Sequence, residues 1–186
     1  MALRLNGSTS GYVELNAPAV AGSQSLTIPY GILQVVQTEL TTPVSFASSS
    51  FVDLTGYSVS ITPSSTSSKI LVTYNLTLNT QTQNFTVAYR LVRNSTVINV
   101  GTNTGNRAAA TGMSATVGGG DHPMTHAGTF LDTPSTTSQI TYKIQAATEG
   151  GISCFLNRNY NGDYVNTSDP KYSRTASNII VMEVAG

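Results

Sequence analysis

The stretch from Lys69 to Asn79 reads KILVTYNLTLN, and it constrains the fold more than any other part of the chain. Ile70, Val72, Tyr74, Leu76 and Leu78 recur at every second residue, with Thr73, Asn75 and Thr77 between them. A period of two puts these sets on opposite faces of an extended strand, one toward a core and one toward water. The rhythm returns in Phe85, Val87, Tyr89 and Leu91, opposed by Thr86, Ala88 and Arg90. It returns again in Ile140, Tyr142 and Ile144, opposed by Thr141, Lys143 and Gln145. Asn178 to Val184 differs, being apolar at Ile179 and Val181 and also at Ile180, Met182 and Val184. A strand apolar on both faces belongs in the middle of a sheet.

Shorter strands are expected at ILQVVQTEL (32–40), FVDL (51–54), SVSIT (58–62), TVINV (96–100), THAGTFLD (125–132) and ISCFLN (152–157). Turn-rich text separates them at 63–68, 101–106, 134–138 and 157–170. Only Ala108 to Met113 suits a short turn of helix. Many strands without a sustained helix predict an all-β sandwich or barrel over residues 31–186.

Residues 1–30 form a different segment. Leu3 and Leu5, then Tyr12, Val13 and Leu15, then Leu26 and Ile28 are short apolar pieces set among Gly, Ser, Asn and Pro. Short strands are expected there, with turns at Asn6-Gly7 and Gly22-Ser23. These pieces are too small to make a core, so the segment needs a surface to lie on. Those seven side chains are the candidate attachment residues. The opening MALRLNGSTSGYVEL lacks the apolar run of a secretion signal. No stretch has the ~20 apolar residues of a membrane helix.

Composition narrows the partners. Only 10% of the 186 residues are charged, against a usual ~25%. Ser, Thr, Asn and Gly take their place, as suits strands whose outer positions are polar but uncharged. Nine basic and nine acidic residues give a formal net charge of zero. Nucleic acid is not an expected partner, because neutralising phosphates requires a basic patch. Little self-repulsion between copies is expected, which suits an assembly. The single cysteine, Cys154, rules out an intrachain disulfide and reads as a buried structural thiol. Sequons at Asn6, Asn75, Asn84, Asn94 and Asn166 are expected from an Asn/Ser/Thr-rich text without glycosylation.

No catalytic constellation emerges, and neither a cofactor nor a metal is expected. Asp121, His122 and His126 come closest, in the loop text GGGDHPMTHAG. Zinc would need a carboxylate as third ligand or three copies of one His on an axis, and ordinary polar loop residues are the expected reading. There is no G-x-S-x-G elbow, and Gly118 to Gly120 is not followed by the G-K-[ST] of a phosphate loop. Asn157, Asn161, Asp163 and Asp169 crowd one loop without calcium-loop spacing. Tyr160, Tyr164 and Tyr172 share that loop with Asn, Gly and Asp, which is the chemistry of adaptable contact loops. With His122 and His126 they are the candidate contacts to a host or partner.

Three pieces carry a family resemblance: ITPSSTSSKILV (61–72), FLDTPSTTSQITYKIQ (130–145) and SNIIVMEV (177–184). They resemble the jelly-roll domains of tail fibres and head appendages of marine phages, which are similar in form to the tumour-necrosis-factor fold. GSTSGYVELNAPAVAGSQSLTIP (7–29) resembles a leader recurring in such proteins. The resemblance implies an antiparallel jelly roll preceded by a short extended segment. It also implies a homotrimer around an apolar, aromatic axis, for which Tyr74, Phe85, Tyr89, Tyr142 and Met182 are candidates, as they are for the subunit core. It implies a non-enzymatic virion protein at the particle surface, made in the host cytoplasm, with capsid or tail proteins as partners. A capsid decoration knob is the leading expectation, because about 30 residues reach at most ~100 Å and cannot form a long shaft. A tail-fibre tip recognising a host surface glycan is the alternative, and a free jelly-roll lectin the next.

Overall fold

The protein is seen in a computed structural model that describes residues 3–6, 12–15, 31–82, 84–115, 122–160 and 168–186. In chain order its strands are β1 (Leu3–Asn6), β2 (Tyr12–Leu15), β3 (Ile32–Leu40), β4 (Val44–Ala47), β5 (Val52–Ile61), β6 (Lys69–Thr80), β7 (Thr86–Arg93), β8 (Thr96–Ile98), β9 (Gly112–Ala115), β10 (Met124–Asp132), β11 (Ile140–Thr148), β12 (Ser153–Leu156) and β13 (Ser177–Val184). β1 and β2 pair antiparallel, with Leu3 opposite Leu15, Leu5 opposite Val13, and Arg4 opposite Glu14. Leu26, Ile28 and the turns expected at Gly7 and Gly22 lie outside the described residues.

The remaining strands build two antiparallel sheets, forming a jelly-roll sandwich. β6 is the spine of the first sheet. β10 follows one side of it without a break, from Met124 opposite Leu78 to Asp132 opposite Ile70. On its other side β13 and β12 lie end to end, β13 against Lys69 to Asn75 and β12 against Leu78 to Thr80. β3 pairs with β13 and β4 with β12. The second sheet runs β5-β11-β7, with β8 and β9 end to end along the far side of β7.

The alternating side chains fill the space between the sheets. Ile70, Val72, Tyr74, Leu76 and Leu78 of β6 are all buried, as are Val87, Tyr89 and Leu91, Ile140, Tyr142 and Ile144, and Ile179 and Val181. Burying one such aliphatic side chain contributes roughly 1.5–3 kcal/mol before entropy is counted. The final strand lies centrally, between β3 and β6, as its two apolar faces require.

Three local expectations change. The pieces at 51–54 and 58–62 belong to one strand, β5, because Gly56 adopts a left-handed φ of 76° and carries the chain through a kink. Pairing with β11 shifts register there, between Lys143 and Gln145. The helical turn expected at 108–113 is instead the approach to β9. Thr111 holds it extended, its N–H donating to the Tyr89 carbonyl (2.8 Å) and its Oγ1 accepting from the Leu91 N–H (2.9 Å). β4 is an additional short strand, lined up beyond β3 and paired with β12.

Polar groups tie the sheets together at definite points. The Tyr57 hydroxyl, on β5, lies 2.6 Å from the carbonyl oxygens of both Asn75 and Asn178 in the first sheet. With one proton it donates to one of them at a time. Asp132, at the end of β10, accepts from Arg93 Nη1 through both oxygens (2.9 and 2.8 Å) and from the Tyr142 hydroxyl (2.7 Å). Burial, reinforced by that bond to Asp132, keeps the Tyr142 phenol protonated well above its usual range.

Candidate functional site

Among the described residues, the outward positions of the first sheet bring large apolar side chains together in one row. Leu71 points outward from β6. Register places it beside Leu131 of β10 and Met182 of β13, and Met182 beside Val35 of β3. Four aliphatic side chains thus form one row across all four strands, roughly 15 Å wide at about 4.8 Å per strand. Val35 is 56% exposed, Leu131 48% and Leu33, next along β3, 42%. Ile180 and Val184 extend the apolar area on β13, where both are half-buried. The charged residues on this face, Lys69 and Glu39, stand at its opposite ends along the strands.

The second sheet presents a different face. Lys143 pairs with Asp53 at 2.7 Å, Gln145 donates to the same carboxylate at 2.7 Å, and Arg90 donates to Gln145 at 2.9 Å. The ammonium of Lys143 foremost holds the Asp53 carboxyl below its usual range. Ser60 and Thr141 join hydroxyls at 2.8 Å beside this network. Such a face is satisfied by itself and by water.

At the seam where β9 and β10 meet, aromatic rings fill the gap between the sheets. Tyr74 and Tyr89 stack edge to face at 6.1 Å, and His126 leans on Tyr89 at 5.2 Å. Ser114 Oγ of β9 is 3.0 Å from His126 Nε2 of β10. The phenols lie over Gly112 and Gly128, where a Cβ would collide with the hydroxyls of Tyr89 and Tyr74 respectively. Burial disfavours the charged imidazole and lowers the His126 pKa.

This seam resolves the sequence-predicted contacts. His126 does not stand in a contact loop: it is a half-buried wedge between the sheets. His122 is exposed just before β10. Tyr160 is 39% exposed, its ring 5.8 Å from Phe155 and its hydroxyl 3.3 Å from Gln81 Nε2. Tyr172 ends a short 3-10 turn at Pro170–Tyr172, its N–H donating to the Asp169 carbonyl. Tyr164, Asn161, Asp163 and Asp121 lie outside the described residues. Of the attachment candidates, Leu3, Leu5, Tyr12, Val13 and Leu15 are placed in the β1–β2 pair.

Asn157 is not a loop ligand. It is fully buried, donates to the Leu40 carbonyl at 2.6 Å and accepts from Ser177 Oγ at 2.5 Å. Among the described residues no group of three or more His, Cys, Asp or Glu is placed to hold a metal. Cys154 is buried beside β6, and burial pushes its thiol up to about 12, where a thiolate nucleophile does not form. Glu183 is fully buried. Burial alone would raise its carboxyl. Bonds from Ser64 N–H and Oγ (2.7 Å each) and Gln34 Nε2 (2.6 Å) outweigh burial and hold it at about 2. It clamps the 62–68 loop to β3 and β13.

No protein-family model matches the chain. No curated protein matches it either. Among solved structures, it is similar to a chain of the IBDV viral particle at 16% identity and a TM-score of 0.44, over 94% of this chain and 42% of that one. It is also similar to a mutant VP2 protein of infectious bursal disease virus in T=1 particles, at 15% identity and 0.42, over 97% and 44%. Another chain from T=1 particles derived from that virus gives 14% identity and 0.42, over 98% and 44%. The chain spans less than half the length of each.

Proposed function

We propose that the chain is a non-enzymatic structural protein of a bacteriophage particle, a knob on the head surface attached through residues 1–30. The observation that carries the reading is the aliphatic row Val35–Met182–Leu71–Leu131 on the outer face of the first sheet. Large exposed aliphatic side chains in one row cost solubility in a free monomer and mark a contact surface. Zero net charge leaves copies free to approach one another. The jelly-roll sandwich and the phage-like sequence pieces fit the same role. In it, three copies pack through the first-sheet face, the charged second sheet faces water, and capsid proteins receive the N-terminal segment.

Light scattering on the full chain and quantitative mass spectrometry of particles test this together. The expected results are a mass three times the 19.5 kDa chain and hundreds of copies per particle. A stable monomer absent from particles overturns the reading. Tens of copies per particle select a tail-fibre tip touching a host surface glycan instead, a reading favoured by the exposed Tyr160 beside the 161–167 segment.

A further inference from the structure

We infer that the second sheet carries a saccharide-binding groove, a site separate from the tyrosine loop and from the aliphatic row. The sequence of outward positions on β7 and β11 is Thr86, Ala88, Arg90 and Lys143, Gln145, Ala147. Register sets Ala88 directly beside Ala147, so two methyl groups adjoin where neighbouring positions carry long side chains. The result is a depression of about 340 Å³ with alanine as its floor. Phe51 forms one wall, Ala108 lines it too, and Ser49, Thr86 and Glu149 supply polar groups at the rim, whereas the Thr148 hydroxyl is buried against the Ser48 and Ile152 carbonyls.

The walls are fixed before any ligand arrives. The Arg90 guanidinium sits 4.2 Å from the centroid of the Phe51 ring and is itself held by Gln145. The 48–50 turn is tied down by Thr148, whose N–H donates to the Ser48 carbonyl at 2.7 Å, and by the Ser48 hydroxyl to the Ser50 carbonyl at 2.6 Å. Glu149 is anchored by the Thr86 N–H at 3.1 Å. Walls already in place spare a ligand the cost of ordering them.

The chemistry selects the ligand class. A rigid aromatic wall and a methyl floor match the C–H face of a pyranose ring. Hydroxyls and a carboxylate at the rim match its hydroxyl groups. An anion is not matched, because the Arg90 guanidinium is already engaged by Phe51 and Gln145 and Glu149 sets a carboxylate at the rim. The volume lies at the small end of the ~300–1,000 Å³ typical of ligand sites, enough for one or two sugar rings. This inference does not depend on whether the protein sits on a head or a fibre.

Alanine-methyl-labelled full chain, titrated by NMR with glucose, galactose, rhamnose and N-acetylglucosamine, and in parallel with benzyl alcohol, tests it. At least one sugar is expected to shift the Ala88, Ala108 and Ala147 methyls saturably at millimolar concentration. Phe51→Ala is expected to weaken that sugar at least tenfold. Ala88→Leu, which fills the groove from the solvent side and spares the core, is expected to abolish it. No saturable shift with any of the four sugars overturns the inference, as does saturation by benzyl alcohol alone. Binding that survives Ala88→Leu in a variant with an unchanged methyl spectrum elsewhere overturns it as well.

Discussion

The two outward faces of the sandwich are built from the same strand alternation yet reach opposite solutions. On the second sheet, Asp53, Lys143, Gln145 and Arg90 satisfy one another across three strands. On the first, Leu131, Leu71, Met182 and Val35 fill the equivalent breadth with hydrocarbon. Both sheets contribute apolar side chains to the one core, so core packing does not account for the difference. Under the proposed function the first face is the one covered by a neighbouring copy, while the second leaves its charged network to water and keeps the Ala88–Ala147 depression open.

The sharpest way to break this comparison is to charge the first face. Val35→Lys with Leu131→Lys is expected to lower self-association more than 100-fold by light scattering, with little loss of folding stability, because both side chains are already about half exposed. Unchanged association would move the contact surface elsewhere. Asp132→Ala comes next. It removes the buried carboxylate partner from the Arg93 guanidinium and the Tyr142 hydroxyl, and about 3–5 kcal/mol should be lost in denaturant unfolding.

Acid should act on the first sheet in two steps. His126 has a folded pKa below the 6.5 of a free imidazole. The unfolded chain then binds a proton that the folded chain refuses, so stability falls as pH drops below about 6.5. Glu183 stabilises fully above 4.5, and its contribution is lost between 4.5 and about 2. His126→Gln should remove the first step of a pH series of melting temperatures and leave the second. The smallest effect belongs to the second face, where Lys143→Ala should change stability by no more than about 1 kcal/mol, since the Asp53 side chain is half exposed.

How much of this was legible beforehand follows from how far apart the determining residues lie. Strand β6 was readable because its five core residues alternate within one short stretch, and β13 because both of its faces are apolar. β4 and β9 were not: each is four residues long and owes its extension to a partner elsewhere, Phe46 to Cys154 and Met113 to Ala88. The aliphatic row was hidden for a related reason. Leu71 and Val35 each look like one unremarkable residue in their own strand. Only a register joining residues more than a hundred positions apart makes them neighbours of Met182. His126 misled in the opposite sense, since the Gly- and Pro-rich text before it suggested a contact loop at the start of the 125–132 strand, while Ser114 and Tyr89 determine its place.

The end-to-end arrangement of β12 and β13 has a consequence for how such a chain can diversify. Between them the chain leaves at Asn157 and is back at Ser177, and those two side chains touch in the interior, while Thr175 N–H donates to the Asn157 carbonyl. Departure and return share one doorway. Because the cost of closing a loop grows only slowly with its length, the stretch beyond the buried Asn159 can be lengthened or shortened while the doorway stays shut. That makes it a natural cassette, open to rapid change by a lineage and equally to a grafted epitope tag.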